Sequence, residues 1–108
     1  MIYELRVYTA MPGKLAAVQA RFRDHTAKLF EKHGMKNIGY WTNMIGGKND
    51  ELVYILAYED LAARQKAWAE FGADPEWHAA RNESEKDGPI VHHTENRILN
   101  PTNFSPLS

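Results

Sequence analysis

The chain contains no cysteine, and this absence excludes several kinds of chemistry. Without thiols there is no disulfide framework, no thiolate nucleophile and no cysteine-ligated metal. Because the lack of disulfides is typical of a reducing compartment, the sequence predicts a cytoplasmic protein.

The sequence also lacks an excess of either charge and any long hydrophobic run. Its 13 basic and 14 acidic residues give a net charge of -1, which provides no long-range attraction for nucleic acid or an anionic membrane. No apolar run approaches the ~18 residues of a membrane span, and Met1 leads directly into a strand pattern rather than a secretory leader. We therefore expect neither nucleic-acid binding nor a membrane span.

Motifs for nucleophilic catalysis, phosphate binding and metal ligation are missing as well. The serines lack a glycine elbow, no glycine-rich loop follows a strand, and there is no HExxH motif. His92 and His93 are expected to point to opposite faces of a strand, and His25 and His33 lie too far apart around a helix to chelate one ion. We predict no metal site and no cofactor.

The chain does have enough apolar residues to form the core of one small domain over residues 1–108. Its hydrophobic content is 44% and its aromatic content 11%. A domain of this size leaves a large surface to cover, so we expect help from a partner subunit.

Hydrophobic periodicity predicts four strands and two helical regions. Asp60 is expected to cap the second helical region, Asp74-Pro75 to restart it, and Gly34 to end the first one. Glycines 46–47 are expected to turn the chain between two paired strands. The predicted strands are 2–9, 38–45, 52–58 and 90–99, and the predicted helical regions are 14–33 and 61–87.

The order strand, helix, strand, strand, helix, strand is typical of an α+β fold of the ferredoxin-like, split-βαβ kind. Such a fold has a four-stranded antiparallel sheet with both helices on one face. Tyr3, Leu5 and Val7 are expected to face the helices. The opposite face would carry Arg6, Tyr8, Tyr54, Leu56 and Tyr58, with either Trp41 and Asn43 or Tyr40 and Thr42. Because that patch is too aromatic to leave in water, we predict a two-fold homodimer with sheets packed face to face.

Six segments along the chain form a recognisable series: Ile2–Tyr8, Pro12–Lys14, Gly39–Thr42, Tyr58–Leu61 with Arg64 and Trp68, Asp74–Trp77 and Pro101–Leu107. Together these segments resemble the NIPSNAP family, and the resemblance runs the length of the chain. It implies the dimeric α+β barrel superfold. Bacterial members are mostly uncharacterised, animal relatives are linked to mitochondria and vesicle traffic, and other families on this superfold include cofactor-free quinol monooxygenases and heme-degrading monooxygenases.

The first strand carries the leading candidate for a ligand anchor. Arg6 lies two residues from both Glu4 and Tyr8, so its guanidinium can bind a carboxylate or phenolate, with the Tyr8 hydroxyl as a second donor or proton carrier. The alternative is an ion pair of Arg6 with Glu4, within one chain or across a dimer, that only neutralises a polar interior.

Each of the other candidate ligand-binding residues also has a purely structural interpretation. Trp41, Tyr54 and Tyr58 are candidates for an aromatic wall around a planar ligand, or for packing at a dimer interface. Asn43 is a candidate to orient a ligand oxygen, or to bond the backbone beside the glycine turn.

The leading functional hypothesis is a homodimer that binds a small, partly aromatic or acidic metabolite between sheet and helices, acting as a cofactor-free oxygenase or isomerase. The alternative is a non-catalytic interaction module, in which the same face only builds the dimer. The sequence does not decide whether the protein is an enzyme.

A remote alternative is heme binding at His78. Trp68 and His78 are ten residues apart, a spacing similar to that of the tryptophan and heme-ligating histidine of the heme-degrading relatives. Arg6 occupies roughly the place of the asparagine that those enzymes carry on their first strand. A histidine on the helix surface is the plainer interpretation.

Overall fold

The computed structural model describes all 108 residues, and its elements follow the predicted strand and helix order. None of the helices combines the length and the apolar character that a membrane crossing requires. The elements are β1 (Ile2–Ala10), α1 (Leu15–Arg21), a π-helical segment (Phe22–Thr26), α2 (Ala27–Lys32), β2 (Lys36–Thr42), β3 (Glu51–Tyr58), α3 (Leu61–Gly72), α4 (Pro75–Ser84) and β4 (Val91–Leu99).

The four strands form one antiparallel sheet in the order β2-β3-β1-β4. β1 therefore lies between β3 and β4, and Arg6 stands opposite both Tyr54 and Asn96. The helices lie on one face of this sheet, so the predicted ferredoxin-like α+β architecture is confirmed.

The predicted helix boundaries rest on the expected local interactions. Asp60 accepts a hydrogen bond from the backbone N–H of Ala63 at 2.8 Å, and Asp74 accepts one from the N–H of Glu76 at 2.8 Å. Gly34, just after the first helical region, has φ of +82°, a conformation that side chains disfavour. The break of the second helical region into α3 and α4 is confirmed.

The first helical region is one rod with a π-helical turn in its middle. The backbone stays helical from α1 through Phe22–Thr26 into α2, but the N–H of Ala27 bonds to the carbonyl of Phe22, five residues back. The hydroxyl of Thr26 donates to the carbonyl of Arg21 at 3.3 Å. We call α1, the π-helical segment and α2 together the helical rod; periodicity alone predicted an ordinary helix here.

The prediction of which sheet face the helices cover is wrong. Glu4, Tyr54 and Leu56 are 0% exposed beneath the helices, and the ring of Tyr54 lies 5.0 Å from that of Phe22 on the rod. Alternation separates the two faces of a strand but does not say which one meets the helices. The helices cover the charged face because they bring hydrogen-bonding partners to it, which removes the usual cost of burying charge.

The face left open is consequently aliphatic rather than rich in tyrosine. Leu5 and Val7 stand opposite Ile55 and Val53, and all four are half-buried in the single chain. We call this surface, with Trp41 at its edge, the open sheet face. An apolar sheet face that a partner subunit could bury is still present, but its residues are not the ones that the sequence analysis expected.

The second strand is shifted from its predicted position, and its end differs. β2 runs from Lys36 to Thr42, so Asn43 belongs to the hairpin loop. The side-chain amide of Asn43 donates to the carbonyl of Lys48 at 2.7 Å and to Glu51 at 2.8 Å. Asn43 is therefore a backbone-bonding loop residue, as the alternative interpretation has it.

A bulge at the start of β4 overturns the expected placement of two histidines. Thr9 pairs with His93 and Ala10 with Val91, which leaves His92 as the extra residue. The two rings do not point to opposite faces, because their Nδ1 atoms lie 2.7 Å apart.

Candidate functional site

A single buried carboxylate, that of Glu4, organises the space between the sheet and α3. Glu4 is 0% exposed, and both of its oxygens accept several hydrogen bonds. The donors are the Tyr58 hydroxyl at 2.7 Å, Arg64 Nε at 3.0 Å, Arg64 Nη2 at 3.0 Å, Arg6 Nη1 at 3.0 Å and Asn96 Nδ2 at 2.8 Å. Five donors leave this carboxylate fully satisfied.

These donors keep the carboxylate ionised. Burial by itself raises the pKa of Glu4, but hydrogen bonds from Arg64, Asn96 and Tyr58 and the charge of Arg6 outweigh burial and lower the pKa to about 2. Glu4 is thus an anion at any physiological pH, and it is not a general acid.

The donors come from four different elements, which is why the sequence did not reveal the cluster. Arg64 and Trp68 lie one turn apart on α3, so both project from the same side of the helix onto the sheet. Asn96 reaches Glu4 from β4, 92 residues away. The sequence signals were the two-residue spacing of Glu4 and Arg6, whose ion pair within one chain is the alternative stated above for Arg6 and is formed at 3.0 Å, and the four-residue spacing of Arg64 from Trp68.

Arg6 is held in place on three sides. Its Nε donates to the Tyr54 hydroxyl at 2.8 Å, its Nη1 donates to Glu4, and its guanidinium lies over the Trp68 ring at 4.6 Å. The third nitrogen, Nη2, takes part in neither of these hydrogen bonds, and 12% of the side chain is exposed. Arg6 therefore keeps one donor group outside its bonds to Tyr54 and Glu4.

The hydroxyl of Tyr8 lies within hydrogen-bonding reach of Arg6 and of the Tyr54 hydroxyl, and its ring is firmly packed. The ring centroid lies 5.2 Å from that of Phe22 and 5.6 Å from that of Tyr54. Because Arg6 and Tyr8 are two residues apart on one strand, they share a face. We call these two residues the Arg6–Tyr8 site.

The outer strand β4 leaves the Arg6–Tyr8 site open at one side. Thr94 stands opposite Tyr8, and Asn96 stands opposite Arg6. Both are exposed, even though they point to the helix side of the sheet. Solvent therefore reaches β4 beside the Arg6–Tyr8 site.

Of the six predicted ligand-binding residues, the structure brings four together. Arg6, Tyr8, Tyr54 and Tyr58 lie in one layer, but the hydroxyls of the last two already bond Arg6 and Glu4. Burial raises the pKa of both Tyr54 and Tyr58, so these phenols stay neutral.

Trp41 and Asn43 lie apart from that layer. Trp41 is 50% exposed on the open sheet face, where its indole lies across Gly39. Asn43 lies in the hairpin loop described above. The predicted aromatic wall of Trp41, Tyr54 and Tyr58 is therefore not formed within one chain.

The side chains of His78 and Trp68 make separate hydrogen bonds and do not meet at one site. His78 is exposed, and its Nε2 lies 2.7 Å from the carbonyl of Gly72. The indole N–H of Trp68 donates to the Tyr58 hydroxyl at 2.8 Å. The arrangement matches a histidine on the helix surface, and no cluster of three metal-ligating side chains exists elsewhere in the chain.

Comparison with known proteins shows which family this chain is similar to. The family model described as NIPSNAP matches residues 3–106. The mouse protein NipSnap homolog 3B is 31% identical over 75 residues, which are 69% of this chain but only 30% of that protein. The chain thus spans less than a third of the curated relative that it matches.

Solved bacterial structures are similar over the whole chain. A NIPSNAP family protein of unknown function from Agrobacterium tumefaciens is 31% identical, with a TM-score of 0.86 over 100% of this chain and 94% of that chain. An uncharacterised NIPSNAP domain protein from Burkholderia xenovorans is 25% identical, with a TM-score of 0.84 over 98% of this chain and 99% of that chain. Neither description names a ligand or a reaction.

Proposed function

Because this chain belongs to the NIPSNAP family, whose similar solved members are themselves uncharacterised, we propose a function from its own residues. The protein is a homodimer that binds a small, partly aromatic organic acid at the Arg6–Tyr8 site. The acid's carboxylate or phenolate oxygen accepts hydrogen bonds from Arg6 Nη2 and the Tyr8 hydroxyl.

The observation that supports this proposal is the Arg6 guanidinium beside the Tyr8 hydroxyl, next to the exposed residues Thr94 and Asn96 of β4. Arg6 is oriented by Tyr54, Glu4 and Trp68, so little conformational freedom is lost when a ligand binds. A guanidinium held in this way is a strong and geometrically specific anchor for an oxyanion.

The charge of the layer favours an anion. Two guanidinium groups, those of Arg6 and Arg64, bond to one carboxylate, that of Glu4. The bonded cluster therefore carries one excess positive charge, which a monoanionic ligand neutralises. The rings of Tyr8 and Trp68 beside the guanidinium supply flat apolar surface for an aromatic ligand.

The homodimer is supported by the open sheet face. Its aliphatic centre, Leu5 and Val7 opposite Ile55 and Val53, is the kind of surface that an identical partner buries in an isologous contact. Glu95 and Arg97 lie on the same face of β4, opposite Val7 and Leu5. Such a patch carries both signs of charge at its rim and can pair with a copy of itself.

Cofactor-free oxygenase or isomerase chemistry is the catalytic form of the same proposal. In it Arg6 stabilises a developing oxyanion and the Tyr8 hydroxyl exchanges a proton with the substrate. The competing function is a non-catalytic module, in which the layer around Glu4 only holds α3 to the sheet.

Salicylate tests the proposal because it joins an aromatic ring, a carboxylate and a phenol. We expect calorimetric binding to the wild-type protein, weakened about tenfold by Tyr8→Phe, which removes one hydrogen bond and keeps the ring packing. Arg6→Lys keeps the charge but loses the fork of donors, and we expect a similar loss. Arg81→Ala, an exposed arginine on α4, is the matched control.

Binding that is equal in wild type and Tyr8→Phe would show that the anchor lies elsewhere. If neither salicylate nor benzoate binds while Arg6→Ala only lowers thermal stability, the structural-module function stands instead. Sedimentation of the wild-type protein at micromolar concentration tests the dimer separately, and a monomer there would contradict that part.

A further inference from the structure

A second concave surface lies between the helical rod and the outer strand β2. This groove has a volume of about 370 Å³. Its lining includes Gln19, Phe22, Arg23, Tyr40, Thr42 and Leu52. Neither Arg6 nor Tyr8 lines it, although the ring of Phe22 packs on that of Tyr8 at 5.2 Å, so the groove adjoins the proposed acid-binding site but has different lining residues.

The π-helical turn builds one wall of the groove. Phe22 and Arg23 are the first two residues of that turn, and Ala27, whose N–H closes it on the Phe22 carbonyl, also lines the groove. A π-helical turn carries one residue more than an α-helical turn and is often found at functional sites. The groove and the π-helical turn therefore coincide in space.

The floor of the groove is aromatic. Phe22 is 3% exposed, and its ring centroid lies 5.8 Å from that of Tyr40, at an interplanar angle of 60°. The Tyr40 hydroxyl donates to Asn37 at 2.6 Å, which fixes the ring. A groove of this volume with an aromatic floor and a few polar rim groups has the usual character of a small-molecule pocket.

The rim has no net charge. Arg23 bonds to Asp24 at 3.0 and 3.4 Å, so its positive charge is already matched. The other polar rim residues, Gln19 and Thr42, are neutral. An anion therefore gains little here, whereas a neutral acceptor can take a hydrogen bond from the Gln19 amide, the Thr42 hydroxyl or a remaining Arg23 N–H.

We propose that this groove is a second ligand site, which takes a neutral planar aromatic molecule carrying a carbonyl or amide oxygen. The ring packs on Phe22 and Tyr40, and the oxygen accepts a hydrogen bond from the rim. The groove lies on the helix side of the sheet and extends to Trp41 at the edge of the open sheet face.

1-Naphthamide and 1-naphthoate test this proposal because they have the same shape and differ in charge. In spectra of ¹⁵N-labelled protein we expect 1-naphthamide to shift the amide signals of Phe22, Tyr40 and Thr42. For a ligand of this size the Kd is on the order of 1 mM. We expect 1-naphthoate to bind at least about threefold more weakly, because its carboxylate loses hydration without gaining an unmatched cation.

Variants of the groove sharpen the test. Ala27→Leu fills the space and should abolish the shifts, whereas Lys28→Ala, an exposed neighbour outside the groove, should leave them unchanged. Should Ala27→Leu fail to fold, Gln19→Ala removes an exposed rim donor and is expected to weaken binding about threefold.

Three results would overturn the site: no shifts at millimolar 1-naphthamide, shifts that map to β4 near Arg6, or undiminished binding to a folded Ala27→Leu. Tighter binding of 1-naphthoate than of 1-naphthamide would overturn the neutral ligand class. Tyr8→Phe should bind 1-naphthamide as the wild type does, so failure of the acid site and failure of the groove are distinguishable.

Discussion

Arg64 on α3 donates two hydrogen bonds, from Nε and Nη2, to the two oxygens of Glu4 on β1, each at 3.0 Å. This bidentate pair joins residues 60 positions apart and ties a helix to the central part of the sheet. Because Glu4 is 0% exposed and also bonds Arg6, Tyr58 and Asn96, the layer between sheet and helices depends on one carboxylate.

The first prediction concerns the charge of that carboxylate. Glu4→Gln keeps the shape of the side chain but leaves the guanidinium groups of Arg6 and Arg64 without their counterion. We expect the free energy of unfolding, measured by urea denaturation, to fall by about 3 kcal/mol. Glu59→Gln, exposed one residue beyond β3, is the control and should change it by less than about 0.5 kcal/mol. Equal effects of the two variants would contradict the central role of Glu4.

The second prediction is the pH dependence that follows from the same residue. The pKa of Glu4 is lowered from its ordinary 4.5 to about 2 in the folded chain. Between these values the unfolded chain binds a proton at Glu4 and the folded chain does not, so stability is lost as the pH falls. We expect the unfolding free energies of wild type and Glu4→Gln, compared from pH 7 to pH 2, to converge below about pH 4.5. A constant difference across that range would refute this assignment.

The third prediction separates two tyrosine hydroxyls. The Tyr58 hydroxyl donates to Glu4 at 2.7 Å and accepts from Trp68 at 2.8 Å, whereas the Tyr40 hydroxyl bonds only Asn37, at 2.6 Å. Tyr58→Phe leaves a buried carboxylate and an indole N–H each short of a partner. We expect it to lower the unfolding free energy by about 2 kcal/mol and Tyr40→Phe by about 1 kcal/mol. The reverse order would contradict the bonding pattern described for the layer.

The fourth prediction concerns the proposed dimer. Val53 lies at the centre of the open sheet face, opposite Val7. Val53→Glu would oppose two buried carboxylates in a two-fold contact, and we expect the dimer dissociation constant in sedimentation equilibrium to rise at least about 100-fold. Ala62→Glu, exposed on α3, should leave it unchanged. A folded Val53→Glu variant that remains dimeric would place the interface on another surface.

The fifth prediction compares two glycines at helix ends. A Cβ at Gly34 or at Gly72 would meet no atom within 4 Å, but Gly34 has φ of +82°, whereas Gly72 is the last residue of α3 and has no left-handed φ. Gly34→Ala should therefore lower the unfolding free energy by about 1 kcal/mol, because an L side chain is strained there. Gly72→Ala should raise it by about 0.5 kcal/mol, because alanine favours the helix. Thermal denaturation of both variants checks the opposite signs.

Much of the fold could be predicted from the sequence, because it depends on interactions between neighbouring residues. The caps at Asp60 and Asp74 and the left-handed glycine at Gly34 depend only on neighbouring residues, and all three are confirmed. The π-helical turn was not readable, because its hydrogen bonds depend on how the whole rod packs on the sheet. The start of β4 was misread for a similar reason, since one bulge residue brings His92 and His93 together.

The candidate site could be predicted from the sequence only in part. Arg6 and Tyr8 share a strand face by simple alternation, so the sequence alone determined that they would lie side by side, and it determined the strand and helix order that forms the sheet. Only the tertiary structure decided that this charged face lies beneath the helices. The reason is that Arg64, Trp68 and Asn96, distant in the chain, supply hydrogen bonds and ring contacts that make the burial of Glu4 and Arg6 favourable. The alternation of polar and apolar residues along a strand does not indicate which partners other elements will supply.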